Sequence, residues 1–175
     1  IHGGPFANIA QGTNTIIATK MGLSLSGYVV TEAGFGADLG AEKFMDIKCG
    51  YGDLSPDALV IVATIRALRH HGGAKKDQYG DANVDRVSVG FSNLEKHIEN
   101  MKKFGLTPVV AINHRIGDTE EEIKVVQEKC AALGVNAVVS MGWANGGNGA
   151  QDLAQAVVDS IESGTNNFKR LYDWN

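Results

Sequence analysis

Tyr28-Val-Val-Thr-Glu-Ala-Gly-Phe-Gly-Ala-Asp-Leu-Gly-Ala-Glu-Lys-Phe44 joins a β-branched and aromatic run to a turn punctuated by glycine. Residues 28–31 have the composition of a buried strand. Gly34, Phe35 and Gly36 break that run, and Asp38 stands where it would cap a helix over residues 39–44. Glycine at such a turn removes the Cβ that would separate backbone N–H groups from a ligand. A helix opening there also points unpaired N–H groups and partial positive charge outward. The expected guest is an anion, most simply a phosphate; the alternative is a tight turn that binds nothing.

The spacing Gly34-x-Gly36-x-x-x-Gly40 also fits a dinucleotide-binding turn. That reading needs an acid at the end of the next strand to hold a ribose. The next strand, residues 58–63, runs instead into Thr64, Ile65 and Arg66. Ordinary NAD binding is disfavoured, while Arg66 leaves an NADP-type dehydrogenase open through a 2′-phosphate.

Outward from this stretch the chain alternates helix and strand signals. Ile1 to Phe6 reads as a Gly-Pro turn in which His2 either meets an anion or packs in the turn. A helix is expected from Asn8 to about Leu25, with Ile9, Ile16, Ile17 and Met21 inward. Residues 70–93 are polar and Gly-rich, which reads as a long flap or surface excursion. His70 and His71 lack a third ligand nearby, so no metal site is expected. Leu94, His97, Ile98, Met101 and Phe104 follow helical spacing up to Gly105. Residues 108–112 and 136–140 read as strands. Between them a helix opens on the capping box of Asp118-Thr-Glu-Glu-Glu122, and residues 151–163 form a final amphipathic helix. The fold class expected is α/β, with mostly parallel sheet flanked by helices.

In such sheets the carboxyl ends of the strands line the binding crevice. Two loops of unusual composition follow the last two strands: Asn113-His-Arg-Ile-Gly-Asp118 and Met141-Gly-Trp-Ala-Asn-Gly-Gly-Asn-Gly149. Trp143, set among glycines, either offers its face to a flat ligand or plugs the top of the core.

The chain has 175 residues, 43% hydrophobic and 21% charged, with net charge −4. That suffices for one ordinary core or parts of two, and argues against a nucleic-acid or membrane-surface binder. No apolar run reaches membrane-spanning length. Cys49 and Cys130 are too few for a disulfide framework or zinc site, which suits a reducing cytoplasm. The chain begins at Ile1 without a signal pattern and ends at Asn175 in what reads as continuing structure, so an internal piece of a longer protein is expected.

Four strings carry a resemblance to a known family: residues 2–10 (His-Gly-Gly-Pro-Phe-Ala-Asn-Ile-Ala), 32–44 (Glu-Ala-Gly-Phe-Gly-Ala-Asp-Leu-Gly-Ala-Glu-Lys-Phe), 56–64 (Pro-Asp-Ala-Leu-Val-Ile-Val-Ala-Thr) and 143–147 (Trp-Ala-Asn-Gly-Gly). In these, and over nearly its whole length, the chain resembles formate–tetrahydrofolate ligase. The resemblance implies a P-loop NTPase-like α/β enzyme of several domains, assembled as a homotetramer. It would use ATP with Mg2+, formate and tetrahydrofolate, with a monovalent cation as a further ligand, and have no nucleic-acid or membrane partner. Residues 1–105 would then be the C-terminal part of the nucleotide domain, and 106–175 the start of a second α/β domain.

In that family formate attacks the γ-phosphate of ATP, and the folate amine takes the formyl group from formyl phosphate. The resemblance places Gly34, Phe35 and Gly36 against formyl phosphate, with Gly36 as the catalytic contact. It places Trp143 under the pterin ring, with Asn113 and Arg115 beside it. Arg115 stands where the family's Asn-x-Phe-x-x-Asp-Thr pattern has Phe, Gln11 where His is usual, and Asn145 where Lys is usual. No G-x-x-x-x-G-K-[ST] occurs, so this chain alone is expected to be inactive. A non-catalytic relative kept for assembly is the remaining alternative.

Overall fold

A computed structural model describes residues 13–34 and 36–173. By compactness the chain forms two units, 57–167 and a second made of the residues before Asp57 together with those from Phe168 onward. Strands on either side of residue 105 pair with each other within the first of these units.

The 57–167 unit is built on a parallel sheet of β1 (Val60–Ala63), β2 (Val109–Asn113) and β3 (Ala137–Ser140), in that spatial order. Val60 pairs with Val109 and Ala63 with Ile112; Val110 pairs with Ala137 and Asn113 with Ser140. Val109, Val110, Ala111 and Ile112 of central β2 are all buried, as their unbroken apolar run requires of a strand covered on both faces. On β1, Ile61 and Ala63 are buried while Val60 and Val62 are exposed. Each fully buried aliphatic side chain contributes roughly 1.5–3 kcal/mol.

Helices follow the strands in βαβ order. Thr64 caps α3 (Ile65–His71), its hydroxyl accepting from the Ala67 N–H at 3.1 Å. Helix α4 spans Val84–Lys103, capped by Asn83, which accepts from the Arg86 N–H at 2.9 Å. Helix α5 (Glu120–Ala132) opens with the expected box, Thr119 and Glu122 each bonding the other's backbone N–H. Gly105 and Gly134, at φ 77° and 68°, close α4 and α5 in the left-handed region that glycine enters without strain. The loop after β3 contains a short α6 (Gly142–Asn145) and a 3-10 turn, then α7 (Gln151–Glu162) packs on β2 and β3.

The expected long excursion over 70–93 is corrected: only residues 72–83 leave helical structure, with a 3-10 turn at Lys76–Gln78. Asp85, Arg86, Ser88, Gly90, Ser92 and Asn93 give α4's first half a loop-like composition, yet Val87, Phe91 and Leu94 are buried. A Cβ on Gly90 would lie 1.9 Å from the Leu68 carbonyl oxygen, and one on Gly72 as close to that of Arg86. These glycines let α3 and α4 close on each other.

In the other unit, Thr15 caps α1 (Ile16–Leu25) by accepting from the Ala18 N–H. The expected start of this helix at Asn8 lies outside the described residues, as do His2 and Gln11. The expected strand at residues 28–31 is absent: the segment has no regular structure and no ladder partner among the described residues, and Val30 is 94% exposed. β propensity sets an extended backbone, but a strand also needs a neighbour. After the turn comes a helical run of wide π geometry over Ala37–Ala41 and Lys43–Lys48, continued by α2 (Cys49–Gly52). Gly36 rather than Asp38 is its N-cap, and no side chain completes the cap.

Candidate functional site

The turn at Gly34 and Gly36 is held by backbone contacts. The Gly36 carbonyl accepts from the N–H groups of Leu39 and Gly40 at 3.0 and 2.9 Å. Gly40 is required sterically, since a Cβ there would overlap the Gly34 carbonyl. Gly36 itself, at φ −76°, is not in the left-handed region, so its lack of a side chain matters for space. The Asp38 carboxylate lies against its open side, where a Cβ would come within 2.5 Å of Oδ1. An anion seated at Gly36 has to turn that carboxylate away. Phe35 lies outside the described residues.

A lysine that sequence reasoning passed over stands in the same unit. Lys48 is buried, and its ammonium donates to Thr13 Oγ1 at 3.1 Å and Asn14 Oδ1 at 3.3 Å, and lies over the Phe44 ring. Thr31, just before the turn, bonds to Asn14 and approaches Thr13. Burial lowers the Lys48 pKa, against a smaller opposing effect of the Cys49 thiol. Among the described residues Lys48 has no carboxylate partner. Burial pushes both Cys49 and Cys130 up to about 11, so neither thiol is reactive at neutral pH.

In the 57–167 unit the structure brings together two of the three residues expected on the folate side, Arg115 and Trp143, while Asn113 stands at the strand end before them. Asn113 ends β2 opposite Ser140, the last residue of β3, and the His114 N–H donates to the Ser140 carbonyl. The chains leaving these strand ends then meet. The Trp143 indole N–H donates to the His114 carbonyl, and the Arg115 guanidinium lies 5.5 Å from the Trp143 ring centroid. Trp143 is 47% exposed, so it does not plug the core. A cation over an indole face is a favourable pair, worth about 0.5–1 kcal/mol when exposed. Gly149 lets the loop close, its carbonyl accepting from the Met141 N–H where a Cβ would strike the Met141 oxygen.

Joined to the loop that carries Arg115 is an ionic cluster that sequence reasoning also missed. Arg69 on α3 and Glu122 on α5 are both fully buried. Arg69 Nε and Nη2 donate to the two Glu122 carboxylate oxygens, Nη1 to the Tyr79 carbonyl at 3.0 Å, and Nη2 also to the Gly117 carbonyl at 2.9 Å. Glu122 accepts further from the N–H groups of Asn83 and Thr119 at 2.8 and 3.0 Å. Asp118 lies 3.9 Å from Arg69 and accepts from the Arg115 N–H at 2.8 Å. Burial alone would raise the Glu122 pKa, but the bonds from Arg69, Asn83 and Thr119, with the guanidinium charge, hold it at about 2. The signal in sequence was the capping box, whose Glu122 was read only as a cap.

Elsewhere, Arg66 lies over the Tyr79 ring and Tyr79 bonds His70 Nδ1. Among the described residues no group of three His, Cys, Asp or Glu is arranged to hold a metal, and no helix is long and apolar enough to cross a membrane.

Comparison with known proteins adds the family. A family model described as formate–tetrahydrofolate ligase matches residues 1–175. The chain is 57% identical over 173 residues to a formate–tetrahydrofolate ligase of Pelagibacter ubique (strain HTCC1062), covering 99% of this chain and 31% of that protein. It is 58% identical over 172 residues to a formate–tetrahydrofolate ligase of Granulibacter bethesdensis, covering 98% of this chain and 30% of that protein. The chain thus spans about a third of the length of these curated relatives.

Proposed function

The chain belongs to the formate–tetrahydrofolate ligase family, and from that premise we propose that it forms part of an enzyme that joins formate to tetrahydrofolate at the expense of ATP. The observation that carries this reading is the family match along the entire chain. The meeting of Arg115 and Trp143 at the ends of β2 and β3 supports it, because a half-exposed indole beside a guanidinium suits a flat, electron-rich ring.

In this reading the reaction passes through formyl phosphate. This reactive mixed anhydride must be kept from water while its charge is screened by fixed dipoles and cations. Gly34 and Gly36 offer their main chain to the phosphate once the Asp38 carboxylate turns aside, Phe35 has the shielding role that the family resemblance implies, and the Lys48 ammonium adds positive potential to this unit. Trp143 stacks against the pterin ring; Arg115 replaces the family's second aromatic group with a plane that also stacks and attracts the ring's polar edge. Asn113 supplies an amide at the strand end. ATP with Mg2+ enters as substrate, and the 175 residues hold no G-x-x-x-x-G-K-[ST] loop to cradle its phosphates. The chain alone therefore turns over no substrate; ATP- and formate-dependent formylation by the isolated chain would overturn that expectation.

The ring-binding half is testable directly. With Trp174→Phe leaving Trp143 as the remaining tryptophan, titration with tetrahydrofolate should quench its fluorescence saturably, and NADPH should not compete. Arg115→Ala should weaken binding by about 1 kcal/mol. Absence of a saturable change with folate, or competition by NADPH, would sink the assignment.

A further inference from the structure

We infer that Arg69 is a positioning residue for the ring-binding pair, holding the loop that carries Arg115 in the register that lays its guanidinium over Trp143. This rests on the folate reading of Trp143 and Arg115 and deepens it. Arg69 touches neither residue, so its action is indirect.

The argument begins with where its donors go. A buried Arg–Glu pair is weak evidence of stability, since well-packed apolar residues often serve as well. Here, however, the guanidinium does more than neutralise Glu122. Its Nη2 also grips the Gly117 carbonyl, and Nη1 the Tyr79 carbonyl. The same carboxylate holds the N–H groups of Asn83 and Thr119. One fork thus fixes two segments at once: the 79–83 stretch leading into α4 and the 114–119 loop leading into α5. Gly117 has φ 92° and the neighbouring Ile116 is 88% exposed, so this loop has little apolar burial of its own to hold it.

From Gly117 the path to the site is short. Asp118, 3.9 Å from Arg69, accepts the Arg115 N–H, and the next carbonyl back, that of His114, receives the Trp143 indole. The loop's two contacts with the indole loop therefore lie one and two residues beyond β2, and the Arg69 grip lies two residues further on. A rigid planar fork suits this task better than an ammonium, because it sets direction as well as charge.

The test uses the 175-residue chain with Trp174→Phe, and compares Arg69→Met, Arg69→Lys, Arg115→Ala and the Arg69→Met/Arg115→Ala double variant. Without ligand, Arg69→Met should raise acrylamide quenching of Trp143 to the level of Arg115→Ala, with Arg69→Lys between. With tetrahydrofolate, Arg69→Met should weaken binding about fivefold when Arg115 is present, no more than Arg115→Ala itself does, and less than about twofold when it is absent, a coupling typical of linked residues. Asp118→Asn, milder in its effect on folding, should move both readouts the same way by a smaller amount. Equal losses in both Arg115 backgrounds would indicate general loosening and overturn the inference, as would unchanged quenching in Arg69→Met and Asp118→Asn. If the parent chain binds no folate, the folate reading fails by itself, and the quenching series still decides whether Arg69 sets the Arg115–Trp143 pair.

Discussion

Glu122 shows most sharply how one residue came to hold two roles. Its carboxylate completes the α5 capping box, a role plain from Thr119-x-x-Glu122, and it is also the anion of a buried pair that local sequence does not announce. Its folded pKa of about 2 lies below the reference value of 4.5. Protonation is therefore easier in the unfolded chain, and the stability gained is complete above about pH 4.5 and lost as pH falls towards 2. Urea unfolding of the parent chain should lose stability across that window. Glu122→Gln should be weaker by about 3–5 kcal/mol at pH 7, since it takes from the buried Arg69 its bidentate carboxylate and leaves only Asp118 at 3.9 Å, and should lose less on acidification. An equal pH dependence in both proteins would show that other carboxylates dominate. Arg69, fifty-three positions away, offered no such legibility; only the fold brings it to Glu122.

At the scale of elements, the strands and caps of the 57–167 unit were readable because their signals are local. Residues 109–112 are unbroken apolar, Gly105 and Gly134 stop helices, and Thr119 starts one. The 28–31 segment misled for the converse reason: its propensity is local, but a ladder is a property of two segments. The first half of α4 misled because its glycine and polar residues resemble a loop until α3 is laid against it. Gly90 makes that point testable. In an isolated helix Gly90→Ala would stabilise by about 1 kcal/mol, whereas here its Cβ would collide with the Leu68 carbonyl. Thermal unfolding should show a net loss of at least about 2 kcal/mol, as overpacking against rigid backbone does. A gain would mean that α3 and α4 are not in this close contact.

At the scale of the whole molecule, residues 57–167 include the entire three-stranded sheet and α3 to α7. The ends of this unit meet, Asn166 Nδ2 donating to the Asp57 carbonyl at 2.9 Å. Expressed alone, 57–167 should unfold in one cooperative transition, with coincident fluorescence and circular-dichroism curves. Separate transitions, or a molten spectrum, would show that it depends on the remaining residues. If it does fold alone, it should keep the Arg115–Trp143 contact, which lies entirely within it.

Sequence by itself determined the α/β class, the parallel strands and the family, because these rest on periodicity and on long ordered strings. It also picked out Gly36, Asn113, Arg115 and Trp143 as candidates, the last two of which meet just beyond adjacent strand ends. What the tertiary structure alone decided was that Arg115 lies over Trp143, that Lys48 is a buried cation, and that Arg69 grips Glu122 and the loop that carries Arg115. Those are relations between residues far apart in the chain, and their energies come from burial and geometry that exist only once the helices close.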